Sequence, residues 1–457
     1  MLKGKTTIEL TNVHTGEKER YEDHNLVTNY VSRIYQPIGG LKSPRELCPS
    51  EPPFTELFGG ILLMDSQIPE ETDQIFIPGG VNIVGCGLYN SVNTTTVPKR
   101  GSYNATESVV NTAERYATFV YDYTTSQGNG TIKSVALTST MAGHGGLGMD
   151  AYADTDFYPS KYAPYADTSY GFYNYGSHLF LIDPDDDAFY TVTAVTTSSV
   201  TITKYRANIH QESIFLNNLT GFDVLETRTV QLPSSIVATE YKAYYDPVTD
   251  CLHIISAAST SIAAKDTFYM TRIDMSTYAA TVVEMTNSYT SSLSFRYNGN
   301  VLVSSDYVYF YISDGPVRLP MSTGGATYQR FTAPFGSNGT LSGGLYFIIE
   351  DRLYYAAYTS SGSYVYGVHM NCVDLKTGKT SIHYTYNNTG NDYRYHPIYH
   401  KDNSYKLIPL KNHPEFYYYG SYIMRVPYYL ATINNLARPI EKTSDKTMKI
   451  TYTIQEM

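Results

Sequence analysis

Asp183-Pro184-Asp185-Asp186-Asp187 crowds four carboxylates into five residues. Hard oxygen ligands at that density could hold Ca²⁺, with Asp183, Asp185 and Asp187 as the ligands. The alternation with a central glycine that shapes an EF-type loop is missing, and Ala188-Phe189-Tyr190-Thr191-Val192 follows as a strand. The stretch therefore reads as an acidic hairpin tip that stays solvated, and no bound metal is expected. His396 and His400 are four residues apart, a spacing that would chelate a metal from one helix face. Pro397 and the flanking tyrosines argue for a strand instead, where the two imidazoles lie roughly 13 Å apart. Gly378-Lys379-Thr380 ends like a phosphate-binding loop, but Val373 stands where the first glycine of that loop belongs, so it reads as a hairpin turn. Gly143-His144-Gly145-Gly146-Leu147-Gly148 lacks the lysine and the following helix of a nucleotide site and reads as a surface loop. No cofactor is expected.

The stretch from Ala151 to His178 is the most distinctive. Tyr152-Ala153-Asp154-Thr155 recurs as Tyr165-Ala166-Asp167-Thr168, and Tyr158, Tyr162, Tyr170, Tyr173 and Tyr175 lie between and after the two copies. These tyrosines supply rigid aromatic faces and hydroxyls with little positive charge, a combination suited to protein or sugar recognition. The same side chains would serve equally as packing for a long crossover. No nucleophile–base pair is visible, and the paired carboxylates of glycosidase chemistry would have to come from distant segments. The chain is read as a non-enzyme.

Such residues need a frame. Of 457 residues, 47 are Tyr, 33 Gly and 21 Pro, with no Trp; tyrosine favours strands while glycine and proline punctuate turns, so the fold class is all-β. Thr6 to Leu10 alternates polar and apolar, Asn12 to Gly16 is a turn, and Lys18 to Tyr21 returns as a second strand. Leu26, Val27, Tyr30, Val31 and Ile34 follow at helical spacing after a cap at Asp23 or Asn25. Tyr429 to Leu436 reads as a short helix stopped by Pro439, and Met448 to Ile454 as a strand that pairs with the N-terminal one.

The second half repeats. Arg272-Ile273-Asp274-Met275-Ser276-Thr277 returns 46 residues on as Arg318-Leu319-Pro320-Met321-Ser322-Thr323, and again as Cys372-Val373-Asp374-Leu375-Lys376-Thr377. Each copy follows a Tyr-rich apolar strand. Periods of about 40–50 residues holding some four strands are the signature of propeller blades, which bury their faces by stacking radially. Earlier blade candidates are 117–140, 178–205 and 222–236. The division is 1–45, an N-terminal anchoring hairpin and helix; 46–116, a loop-rich β connection; 117–428, a β-propeller-like body; and 429–457, a C-terminal helix and strand that complete the anchor.

A net charge of −10 repels phosphate backbones and anionic lipid, so nucleic acid is not an expected partner. No apolar run approaches the roughly 18 residues of a membrane helix. The opening MLKGKTTIEL lacks the apolar stretch of a secretory signal, which predicts synthesis in a cytoplasm without secretion. Cys48, Cys86, Cys251 and Cys372 are far apart and read as isolated thiols.

Three phrases resemble a known group. They are Lys3-Gly4-Lys5-Thr6-Thr7-Ile8-Glu9-Leu10-Thr11-Asn12 with Tyr21 to Asn29; Tyr121 to Ile132 running on to Thr138; and Leu430 to Leu436 followed by Thr447 to Thr453. Together they resemble the minor structural or tail-fibre-like virion proteins of tailed phages and prophages of gut Gram-positive bacteria. The resemblance implies residence in a virion after synthesis in the bacterial cytoplasm and release by lysis, with other tail or baseplate proteins as partners and assembly as a homo-oligomer. It carries no catalytic residue. The expected function is host-surface recognition as a tail-fibre or baseplate component, binding a cell-surface glycan or protein. The alternatives are a purely architectural baseplate or capsid-decorating subunit, and a polysaccharide depolymerase.

Overall fold

The computed structural model describes residues 2–33, 58–93, 98–111, 113–138, 179–206, 223–296, 301–304, 306–312, 315–332, 340–361, 364–387, 407–419, 422–425 and 430–456. Strands dominate them, and the single helix is one turn, Tyr30–Arg33. No helix among the described residues is long and apolar enough to cross a membrane.

Both ends of the chain build one ten-stranded sheet. Leu2–Asn12 lies between Lys18–Val27 and Lys446–Glu456, antiparallel to both. Strict alternation explains the register. Ile8 and Leu10 point inward opposite Ile450 and Met448, and Tyr116–Tyr123 pairs on the far side of Lys446–Glu456 with Phe119 opposite Tyr452. Gly130–Thr138 pairs with Thr432–Lys442 and with Gly60–Met64, which in turn pairs with Ile83–Leu88. A bridge between Cys86 and Arg100 joins the last of these to the Ser102–Tyr103 edge, so the sheet closes around a core of Ile8, Phe119, Tyr121, Val135, Ile450 and Tyr452. Gly87 lies beneath the Tyr121 ring, where a Cβ would sit 2.6 Å from Cδ1. Gly60–Met64 is buried on both faces, because Ile68, Ile77 and Val81 cover the side that Leu62 and Met64 present.

This architecture corrects three expectations. Leu26 and Val27 belong to the Lys18–Val27 strand and pair with Ile433 and Thr432; the helical spacing there coincides with one face of a strand that then runs into a single turn. Of the helix expected over Tyr429 to Leu436, the described part from Thr432 is instead the strand Thr432–Lys442, which absorbs Pro439 where its register with Gly130–Thr138 shifts. The segment 117–138, assigned above to the body, completes the terminal sheet. The first described strand of the body is Leu179–Asp183.

The body is propeller-like, a four-blade arrangement. The second blade runs Glu240–Asp246, Cys251–Ala257, Thr267–Asp274, Ala280–Thr286. The third runs Val301–Val303, Tyr307–Ile312, Gly315–Pro320, Gln329–Arg330, and the fourth Thr340–Ile349, Arg352–Ser361, Tyr364–Asp374, Thr380–Asn387. The first blade is a seven-stranded sheet that closes the ring. Its inner strand Leu179–Asp183 is parallel to Leu407–Leu410 from the other end of the body, joined where the Lys411 amide donates to the Ile182 carbonyl at 2.8 Å. Each blade buries both faces against its neighbours. Tyr190, Val192 and Ile202 meet Ala243, Leu252 and Ile254; Phe268 and Met270 meet Val308 and Phe310; Tyr309 and Tyr311 meet Leu353 and Tyr355.

The repeat marks one recurring turn. Asp274 Oδ1 accepts from the amides of Ser276 and Thr277 at 3.0 and 2.7 Å, and Asp374 Oδ1 accepts from Lys376 and Thr377 at 3.0 and 2.9 Å. Both turns close in the left-handed region, at Tyr278 (φ 57°) and Gly378 (φ 73°). Gly378-Lys379-Thr380 is accordingly the expected hairpin turn.

The body is inserted into the terminal sheet at a single point. The Ala431 amide donates to the Leu137 carbonyl at 2.8 Å, so the chain leaves and re-enters the sheet side by side. Tyr452 ties the junction together. Its hydroxyl meets Asn25 and Thr432, and Thr432 Oγ1 accepts from the Leu137 amide at 2.9 Å.

Candidate functional site

A cavity of about 520 Å³ opens at the C-terminal ends of the inner strands of the second, third and fourth blades, beside the closing strand Leu407–Leu410. The blade stacking positions its walls. Tyr244, Tyr245 and Asp246 end one inner strand, Leu302 to Asp306 the next, and Phe347 to Asp351 the third. Pro409 and Tyr417 close the remaining side, with the Phe347 and Tyr417 rings stacked at 5.2 Å. Concave sites of this size with aromatic walls and a few polar groups suit small ligands or chain ends.

Two kinds of residue fill the rim. Arg318 lies over the Tyr307 ring at 4.4 Å and over Phe331 at 5.3 Å, while its Nε donates to Gln329 Oε1 at 2.9 Å. Lys376 pairs with Asp351 at 3.2 Å. Asp246 accepts from the Val248 amide at 3.0 Å and the Thr249 hydroxyl at 2.8 Å, which holds the corner and leaves Val248 projecting with 86% exposure. Asp306 is exposed at the tip of the third blade's corner, and neither it nor Glu350 has an ion-pair partner among the described residues. Partial burial, with Asp351 alongside, raises the Glu350 carboxyl above its ordinary value. Burial raises the phenols of Tyr244, Tyr245 and Tyr309. The described lining residues include no histidine or cysteine; Tyr244, Tyr309, Phe347 and Tyr417 are buried, and the exposed groups of the rim are Asp306, Glu350, Asp351, Lys376 and Val248.

The terminal sheet reaches this face of the body. Arg352 donates to the carbonyls of Val81 at 2.6 Å and Pro78 at 3.3 Å and lies 3.8 Å from Asp374, whose Oδ2 accepts from the Gly80 amide at 2.6 Å. The Gly79 amide donates to the Glu350 carbonyl at 2.6 Å. The 75–81 segment thus fixes the fourth blade next to the cavity.

The aromatic-loop candidates Tyr152, Tyr158, Tyr162, Tyr165, Tyr170, Tyr173 and Tyr175 lie outside the described residues, as do His396, His400, Cys48 and the Gly143–Gly148 loop. Asp183, Asp185 and Asp187 form the corner of the first blade without converging. Asp183 is buried rather than solvated, 3.1 Å from Lys411, and accepts from the Asp186 amide; Asp185 meets Asn412, and Asp186 meets Lys204 at 2.8 Å. No cluster of three or more His, Cys, Asp or Glu suited to a metal occurs among the described residues. Cys86, Cys251 and Cys372 are buried and not joined in disulfides.

A signal for the site was present in the sequence. Asp183-Pro184-Asp185-Asp186-Asp187 and Asp246-Pro247-Val248-Thr249-Asp250 are the same corner in successive blades, each ending in a left-handed Asp (φ 47° and 49°). Reading them as a repeat would have located the blade corners, the second of which, Asp246 to Val248, lines the cavity.

No family model matches the chain, and no curated protein matches it. Solved structures overlap it weakly. A GH74 enzyme of Niastella koreensis is 12% identical over 46% of this chain and 30% of that one, at a TM-score of 0.24. The chain thus spans under a third of that enzyme. The CNH domain of AfRom2 is 6% identical over 71% of this chain and 93% of that one, at 0.22. One of the structures from a mechanistic study of two prolyl endopeptidases is 9% identical over 79% and 52%, at 0.18. At these scores the likeness carries neither fold nor activity to this chain.

Proposed function

We propose that this chain is a virion structural protein of a tailed phage, a tail-fibre or baseplate component whose propeller-like body recognises the host surface. The observation that carries the reading is the single insertion point. A module that the chain enters and leaves side by side, at Leu137 and Ala431, is carried on the sheet that both chain ends complete, with the 75–81 segment fastening its fourth blade. The cavity at the ends of the inner strands then supplies a recognition site on a rigid scaffold. Several copies on one particle would turn modest affinity at each site into avidity. The three phrases that resemble tail-fibre-like proteins support the reading. All fall in or beside the terminal sheet, the part that would meet other virion proteins.

Antibody-gold electron microscopy of purified particles, with serum raised against the body, tests this. Gold on fibres or at the tail tip is expected. Gold over the capsid would move the protein to a decorating role. Absence of gold, on particles where a known virion protein labels well, would overturn the virion reading.

A further inference from the structure

We propose that the outer strand of the first blade, Val224–Gln231, is a self-pairing edge through which two copies of this chain join about a two-fold axis at Thr227. The strand ends the seven-stranded sheet and, among the described residues, pairs on one side only, with Ser199–Arg206. The Leu232 amide donates to the Ser198 carbonyl at 2.8 Å, and the same register runs on through Val230 opposite Val200 and Arg228 opposite Ile202. Backbone groups alternate sides along an antiparallel strand. Arg228, Val230 and Leu232 therefore bond inward, while Thr227, Thr229 and Gln231 direct their N–H and C=O groups outward. Proline, lysine or a very short length ordinarily blunts such an edge, and this strand has none of them. Six of its eight residues are exposed, Val224 (58%) and Leu225 (40%) among them. The outer strands of the next two blades differ. Gln329–Arg330 is two residues long, and the Thr286 amide at the end of Ala280–Thr286 donates to the Gly324 carbonyl of the third blade.

The sequence of the strand is complementary to itself. Antiparallel pairing centred on Thr227 sets Glu226 opposite Arg228 of the second copy, Leu225 opposite Thr229 and Val224 opposite Val230. Opposite charges facing each other across strands are stabilising and like charges are not. Centring the pairing on Glu226 or Arg228 would set like charges face to face, so the charges select Thr227. Arg228 is already held in place, its Nε donating to Glu226 and its guanidinium lying 4.3 Å over the Tyr278 ring. The opposite face carries a threonine row that runs to the free edge. Thr193 and Thr203 hydroxyls lie 3.1 Å apart, Thr203 and Thr227 3.5 Å, and Thr201 and Thr229 3.3 Å. Pairing at Thr227 continues this row across the axis, with the same surface used by both copies. A seam one strand long buries far less than the roughly 1,600 Å² of a standard interface, so the dimer exchanges with monomer.

Sedimentation equilibrium of the full-length protein tests this. A monomer–dimer equilibrium is expected, with hydrogen exchange across 224–231 slowing as the concentration rises. Thr227→Pro removes an outward N–H and leaves the ladder to Ser199–Arg206 intact, so it should weaken dimerisation at least about tenfold while the melt stays that of the parent. Arg228→Glu should weaken it about as much, and Glu226→Arg combined with Arg228→Glu, which restores opposite charges across the axis, should recover it. If the proline variant melts early, the charge reversal and its rescue decide the question. A single monomeric species up to about 200 μM, an assembly of another stoichiometry, or a dimer indifferent to Thr227→Pro and Arg228→Glu would each overturn the proposal.

Discussion

His253 couples stability to pH. It lies wholly buried in the second blade, neither ring nitrogen has a partner, and burial, with Arg272 nearby, lowers its pKa to about 4 from 6.5. The unfolded chain therefore takes up the proton first as the pH falls. Stability present above pH 6.5 is lost progressively down to about pH 4, and the loss between pH 7 and 4.5 from this group alone is roughly 2 kcal/mol. His253→Leu, which fills similar space without a titrating group, should flatten that part of the curve in urea denaturation at the two pH values. At the sheet junction, Tyr452→Phe removes one hydroxyl from the Asn25–Tyr452–Thr432 network and leaves buried partners unsatisfied, an expected cost of roughly 1–2 kcal/mol in the same assay. Neither residue was singled out in the sequence, because a strand pattern names a buried position and not the partners it lacks.

At the level of elements, equivalent turns carry unequal loads. Asp274 and Asp374 cap the same turn in the second and fourth blades, yet only Asp374 also receives the Gly80 amide and faces Arg352. Asp374→Ala should cost roughly 2 kcal/mol, since it leaves a largely buried guanidinium without its carboxylate. It should also speed hydrogen exchange across 75–81, whereas Asp274→Ala should leave that segment unchanged. Much at this scale was legible. The terminal hairpin, the blade period and the turn at Gly378 follow from alternation and from the recurring Asp-x-x-Thr. Tyr116–Tyr123 and Gly130–Thr138 were correctly strands but assigned to the wrong sheet, because period-two alternation fixes which side chains point inward and says nothing about whether the partner lies ten or three hundred residues away. The stretch expected as a helix from Leu26 onward is helical at Tyr30–Arg33 but not at Leu26 and Val27, for a related reason. Leu26 and Val27 satisfy a helical spacing and a strand face equally, and pairing with Ile433 and Thr432 decided it.

For the whole molecule, the close approach of Leu137 and Ala431 keeps every strand pairing of the ten-stranded sheet outside residues 140–429, while Phe347, Ile349, Tyr354 and Tyr417 of the body share its core with Ile75 and Phe76. Replacing residues 140–429 with a short Gly-Ser linker should keep the β circular-dichroism signal but lower the melting temperature, because Ile75 and Phe76 lose that cover. The cavity belongs to this scale as well. Its tyrosines and carboxylates come from three blades far apart in sequence, so composition showed the abundance of tyrosine while only the closed ring gathered Tyr244, Tyr307 and Phe347 around one space. The measurement that tests recognition most directly is competition. Host cells preincubated with the purified full-length protein should adsorb fewer phage particles, and protein carrying Asp306→Ala and Tyr307→Ala together, if its melt matches the parent, should lose that effect. Undiminished adsorption with the parent protein at saturating dose, or equal competition by the double variant, would contradict host recognition through this cavity.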